Sequence, residues 1–187
     1  MTQLIHLKNE TYVRYNVVEV MLMIDYYTSA LEDWITNWYI HNKIMTSQDM
    51  NINQISLKHG IFLHRKPMTA RYDVFGRYKG IVIDSRERVE IQREQFFHEL
   101  CHILRHSGRQ TMMPEAFREL QERDARHFTL YASLPAHMIK TYDFTNEFII
   151  ETLADNFKVR KELVTERLDR IYRNQKNSTI LQAHIYL

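Results

Sequence analysis

The run Gln95-Phe96-Phe97-His98-Glu99-Leu100-Cys101-His102-Ile103-Leu104 sets two histidines four apart in an apolar frame, with an acid between them. On an α-helix, residues four apart lie nearly in line along one face, so both imidazoles can reach a single ion. Glu99 is rotated from His98 by about 100° at 3.6 residues per turn, which sets its carboxylate beside a metal-bound water rather than on the metal. Zinc in a three-ligand site lowers the pKa of its water to about 7, and a neighbouring carboxylate can take the proton as hydroxide attacks a peptide carbonyl. The plainer reading is a pair of core or surface histidines with ordinary hydrogen bonds. The apolar frame speaks against it: two neutral imidazoles in a buried helix need partners for their ring nitrogens, and a metal serves both.

Working outward, this helix is expected to begin near Glu90, with Asp84 and Ser85 offering caps. Upstream the period changes. Ile61–Leu63, Arg71–Phe75 and Gly80–Ile83 are short, rich in aromatic and β-branched residues, and separated by Lys66-Pro67 and Gly76. They predict a small three-stranded antiparallel sheet. Asn51–Lys58 reads as a short helix ended by Gly60. From Tyr12 to His41 the apolar residues Val17, Val20, Met21, Ile24, Leu31, Trp34, Ile35 and Trp38 recur at helical spacing, predicting one long helix or two shorter ones. Helical spacing returns from Pro114 to Leu134, where Pro135 stops it, and twice more over residues 143–173. With only 4 Gly and 3 Pro in 187 residues, collagen, low-complexity disorder and a turn-rich β-sandwich are excluded. The expected fold class is α+β and mostly helical.

A single Cys cannot form an internal disulfide, which fits a reducing compartment. The most apolar stretch, Val17 to Ile40, is interrupted by Glu19, Asp25, Glu32 and Asp33, so no membrane span is expected. The N-terminus has neither a basic start nor a small-residue cleavage site, and the expected location is cytoplasmic. Residues 51–110 are the only net-basic third, with 11 basic against 6 acidic side chains. That balance is too mild and too mixed for a nucleic-acid stripe.

Two histidines need a third ligand. One class of such sites places Gly at 105 and His at 108; this chain has Arg105 and Gly108, and the class is excluded. His106 lies about 12 Å beyond His98 at 1.5 Å per residue, too far to share its ion. A carboxylate on the following helix remains, and Glu115, Glu119, Glu122 and Asp124 all lie there. The 24 residues from His98 to Glu122 leave room for a loop and a returning helix.

His98-Glu99-Leu100-Cys101-His102 with His106, then Glu122-x-x-Ala125-x-x-Phe128 and a helix ending in Leu134-Pro135, resembles the ImmA/IrrE family of metallopeptidases. The similarity covers residues 55–135 or so. It implies a zincin-like metallopeptidase domain over 1–136, with His98, His102 and Glu122 as zinc ligands and Glu99 as general base. Asp124 is the competing carboxylate, with a shorter arm. Arg126 stands where the family has Asn and Thr129 where it has Ala, so the surroundings of the second helix differ. A His/His/carboxylate set also accepts manganese or iron. Tyr131 is a candidate donor to the oxyanion of a tetrahedral intermediate. His59, His64, His127 and His137 read as surface or satisfied polar residues.

Residues 137–187 are expected to form a C-terminal helical segment with the shape of a helix-turn-helix, in which Lys158 occupies the usual Gly position. Its second helix alternates Lys161, Arg167, Arg170 and Arg173 with Glu162, Glu166 and Asp169, a poor surface for phosphates. A helical pair packed on the peptidase core is the expectation. The resemblance implies a zinc-dependent, site-specific endopeptidase whose substrate and partner is a helix-turn-helix repressor of a prophage or mobile element; the chain is expected to act as a monomer without direct contact to nucleic acid. The rival readings are a non-proteolytic antirepressor with a structural metal, and a DNA-binding regulator using the C-terminal helices.

Overall fold

The computed structural model describes residues 2–4, 14–16, 26–106 and 113–185, with side chains described over 26–106 and 113–174. The fold is α+β, as expected. Strands β1 (Thr2–Leu4) and β2 (Arg14–Asn16) pair antiparallel apart from the main sheet. Helix α1 (Ala30–His41) follows, so the helix expected from Tyr12 does not begin there; Arg14–Asn16 is strand, and Val17, Val20, Met21 and Ile24 lie outside the described residues. The start of α1 is fixed by a capping box. Ser29 accepts from the Glu32 backbone N–H, and the Glu32 carboxylate accepts from the Ser29 N–H.

A 3-10 turn (Ser47–Asp49) leads to α2 (Ile52–Lys58), capped by Asn51 and closed at Gly60 with a φ of 63°. The main sheet contains β3 (Phe62–Lys66), β4 (Arg71–Phe75) and β5 (Tyr78–Asp84) in the order β3-β5-β4. It is mixed, not purely antiparallel: β3 runs parallel to β5 from Phe62↔Gly80 to Lys66↔Asp84, while β4 and β5 form an antiparallel hairpin closing at Phe75↔Tyr78. The physical reason lies in β5. Ile81, Val82 and Ile83 are all buried, and an uninterrupted apolar run belongs at the centre of a sheet, where both faces are covered. The half-exposed strands β3 and β4 take the edges.

Helix α3 (Val89–Arg105) lies on β5 and β4. Its start is not capped by Asp84 or Ser85. Asp84 instead ends β5, pairs with Arg86, and donates its backbone N–H to the Gln95 side chain, tying the strand to the helix. Phe96, Phe97, Leu100 and Cys101 turn into the core and leave His98 facing the other way. Helix α4 (Glu115–Ser133) begins after Pro114 and packs along α3, with Ala125 and Phe128 fully buried. A short α5 (Ala136–Ile139), α6 (Ile149–Phe157) and α7 (Lys161–Ile185) complete the described chain. Leu153, Phe157, Val164, Leu168 and Ile171 join the same hydrophobic core as Ile35, Phe97 and Phe128, so segments on both sides of residue 136 share one interior.

Buried beneath this core, Arg167 of α7 donates to the Glu32 carboxylate of α1, to the Tyr26 hydroxyl and to the Leu134 carbonyl, the first two over 2.6 Å. Burial alone would raise the pKa of Glu32, but Arg167, the Ser29 N–H and the Tyr26 hydroxyl outweigh it and hold the carboxyl below its ordinary range.

Candidate metal centre

Helix α3 presents His98 and His102 one turn apart, and α4 brings Glu122 against both. His98 Nε2 lies 3.3 Å from His102 Nε2 and 3.2 Å from Glu122 Oε2, and His102 Nε2 lies 3.4 Å from Glu122 Oε1. These spacings can be tested against zinc. Ligand atoms about 2.0–2.2 Å from a tetrahedral ion lie about 3.3–3.6 Å from one another, so the three donors sit close to the edge lengths of such a site. Two imidazole nitrogens and one carboxylate are also a donor set that zinc accepts with a fourth position open. Burial lowers the pKa of His98 and pushes His102 down to about 4, so both rings are neutral at pH 7, the form that binds a metal. The residues present fit a divalent ion.

Glu99 lines a cleft of about 340 Å³ together with His98, His102, Glu122 and residues 70–72 where the chain enters the edge strand β4. Its carboxylate is almost fully buried and accepts from the Tyr72 backbone N–H. Burial, reinforced by the charge of Glu122, pushes its pKa up to about 7, which suits a group that must both take and return a proton. The ring of Tyr72 stacks on His102 with centroids 4.9 Å apart, closing one side of the cluster. A second cavity of about 420 Å³ opens beside His98 and Glu99, between α3, α4 and α7, and is lined in part by Ile91, Thr129 and Leu163.

Not every candidate converges. Asp124, the competing carboxylate, faces away from the Nε2 atoms of His98 and His102 and bonds Arg105 and His106 instead, with Cys101 Sγ 3.7 Å away. Tyr131 is not brought to the cluster. It lies nine residues beyond Glu122 on the same helix, about 13.5 Å along the axis, with the Arg167 guanidinium 4.8 Å over its ring. His59 stacks on Trp38, and His64 Nε2 contacts the Tyr78 hydroxyl. Sequence reading missed Tyr72 and the Arg167–Glu32 pair. Nothing in a strand's periodicity marks Tyr72 as a neighbour of His102. The pair left a trace, because Glu32 falls in register with Ile35 and Tyr39, and Arg167 with Val164 and Ile171, so each acid or base sits on an apolar stripe.

The family model of the IrrE N-terminal-like domain, a peptidase family, matches residues 57–169, which contain this geometry. The chain belongs to this family. The IrrE N-terminal-like match contains all of α3 and α4, and therefore every donor of the cluster, and runs on into α7 to include Arg167. The chain is also similar to the phage-like element PBSX protein XkdA of Bacillus subtilis (strain 168), 29% identical over 163 residues, covering 86% of this chain and 82% of that protein. The uncharacterized protein YqaB of the same organism is 31% identical over 150 residues, covering 79% of this chain and 87% of its own length. No solved structure matches the chain. Among the described residues, no helix is long and apolar enough to cross a membrane.

Proposed function

We propose that this chain is a zinc-dependent, site-specific endopeptidase that cleaves a helix-turn-helix repressor of a phage or mobile element and so relieves repression. The observation that carries the reading is the convergence of His98, His102 and Glu122 at 3.2–3.4 Å, with the buried carboxylate of Glu99 beside them. Membership of a peptidase family supports hydrolysis of protein, and the name of the similar phage-element protein supports the genetic setting. His98, His102 and Glu122 would hold the ion; manganese or iron are the other ions such donors accept. When bound, a divalent ion supplies a Lewis acid and an acidified water.

The chain's own residues do the rest. Glu99 takes a proton at its carboxylate and returns it to the leaving amine, a role for which its position in the cleft and its raised pKa are both suited. The β4 edge forms one wall of the cleft, and an extended polypeptide is the substrate shape such an edge admits. Protein, not nucleic acid, is the partner, and the monomer is the acting unit, in the cytoplasm where a repressor works.

The test is incubation of the zinc-loaded full chain with the repressor encoded beside it. Cleavage at one site, lost in Glu99→Gln while zinc remains bound, is the expected result. An intact repressor with the unmodified chain sinks the proposal. A Glu99→Gln variant that still releases the repressor from its operator without cutting it points to the non-proteolytic antirepressor.

A further inference from the structure

His106 and Asp124 lie outside the three-donor group but are joined to it in a line. His106 Nδ1 is 2.9 Å from His102 Nδ1, and His106 Nε2 is 3.0 Å from Asp124 Oδ2. Asp124 is gripped in turn by Arg105, whose Nε and Nη2 donate over 3.0 and 3.4 Å. The Arg105 guanidinium rests 5.2 Å over the Trp34 ring of α1, which fixes the outer end of the line.

The hydrogens along this line follow by elimination from the network. A carboxylate paired with a guanidinium only accepts, so the hydrogen in its contact with His106 belongs to His106 Nε2. When the His106 ring carries a single hydrogen, at Nε2, its Nδ1 offers a lone pair, and the hydrogen in the 2.9 Å contact then belongs to His102 Nδ1. That leaves a lone pair on His102 Nε2, the atom that faces His98 and Glu122. The reverse assignment would set a bare His106 nitrogen against a carboxylate oxygen at 3.0 Å, acceptor against acceptor.

We propose that His106, anchored by Asp124 and Arg105, is a positioning residue that holds His102 in its Nδ1-protonated tautomer and aims Nε2 at the metal. The inference rests on the metal reading above. Cys101, His106 and Asp124 also place donor atoms within 4.8 Å of one another, but a second ion is not the better account. Both His106 nitrogens are engaged, and a cation, Arg105, already holds the Asp124 oxygens. Outer partners of this kind orient a ligating imidazole and raise its basicity, and losing one weakens metal binding about 10–100-fold.

Two measurements on the full chain test this. Imidazole nitrogen NMR of the metal-free protein is expected to show His102 protonated at Nδ1, and to show a mixture of tautomers in His106→Ala. Competition with a chromophoric chelator is expected to show zinc bound about 10–100-fold more weakly by His106→Ala and Asp124→Asn. His106→Gln, whose amide can accept from His102 and donate to Asp124, should recover most of the loss, which a merely space-filling role would not predict. Mixed tautomers at His102 in the unmodified chain overturn the proposal even if His106→Ala fails to fold. So does zinc affinity in a folded His106→Ala within twofold of the original. Both results leave zinc bound and the metal reading standing, whereas an unmodified chain that takes no zinc overturns the two together.

Discussion

Glu122 and Asp124 are two residues apart on one helix, and the turn of that helix gives them opposite duties. Glu122 faces the Nε2 atoms of His98 and His102; Asp124 faces the far nitrogen of His106. Replacing Glu122 by Ala removes the carboxylate of the three-donor group and is expected to abolish zinc uptake at micromolar metal, read by chelator competition, with the helical circular dichroism retained. Glu99→Gln should behave in the opposite way. Its zinc content is expected to match the unmodified chain, while the cleavage rate falls by at least about 10²–10⁴, the range a positioned acid–base group contributes. Motif spacing made His98, Glu99 and His102 legible in the sequence, because helical geometry alone places them. It could not choose between two carboxylates on a second helix, since that choice depends on how α4 is rotated against α3.

At the scale of elements, the junction between α6 and α7 shows a local rule broken. Lys158 adopts φ 55° and ψ 50°, the left-handed conformation that usually belongs to Gly at a helix C-terminus. A side chain there costs about 1–2 kcal/mol, partly offset in Gly by its greater freedom when unfolded. Lys158→Gly is therefore expected to raise stability by about 0.5–1 kcal/mol in urea unfolding, provided the turn is kept. A decrease would show that the Lys158 side chain contributes more than its backbone strain costs. The sheet carries a second lesson. Three short strands in sequence, joined by a Pro-containing link and a tight turn at Gly76, look like a meander, yet β5 inserts between its predecessors. The unbroken Ile81-Val82-Ile83 run was the available signal for a central strand, and only the helix covering it makes that placement favourable.

Across the whole molecule, the pair Arg167–Glu32 ties the last described helix to the first over 135 residues. Removing one partner strands a buried charge, so Arg167→Met is expected to cost about 3–5 kcal/mol in denaturant unfolding. The pH dependence has a definite sign. Because the folded-state pKa of Glu32 is depressed, the stability it contributes is complete above the ordinary carboxylate pKa and is lost as pH falls through the folded value. The unmodified chain should thus weaken on acidification below about pH 4–5, while in Arg167→Met the unpartnered Glu32 gains from protonation and the gap between the two proteins narrows. A gap that widens at low pH would contradict the pairing. A chain cut at residue 136 loses Arg167 together with Leu153, Phe157, Val164 and Ile171 from the shared core, and it is expected to show no cooperative unfolding transition.

The sequence by itself determined what is periodic or local: the helical class, the face of α3 that carries His98 and His102, the end of α2 at Gly60 and the stop at Pro135, all of which depend on neighbours within a few residues. Tertiary structure alone decided what depends on the rotation and order of distant elements. It selected Glu122 over Asp124 for the cluster, turned Asp124 and His106 into a line behind His102, removed Tyr131 to the company of Arg167, and placed β5 at the centre of the sheet. Those outcomes follow from which faces are buried together, a property of the packed chain that no single segment carries.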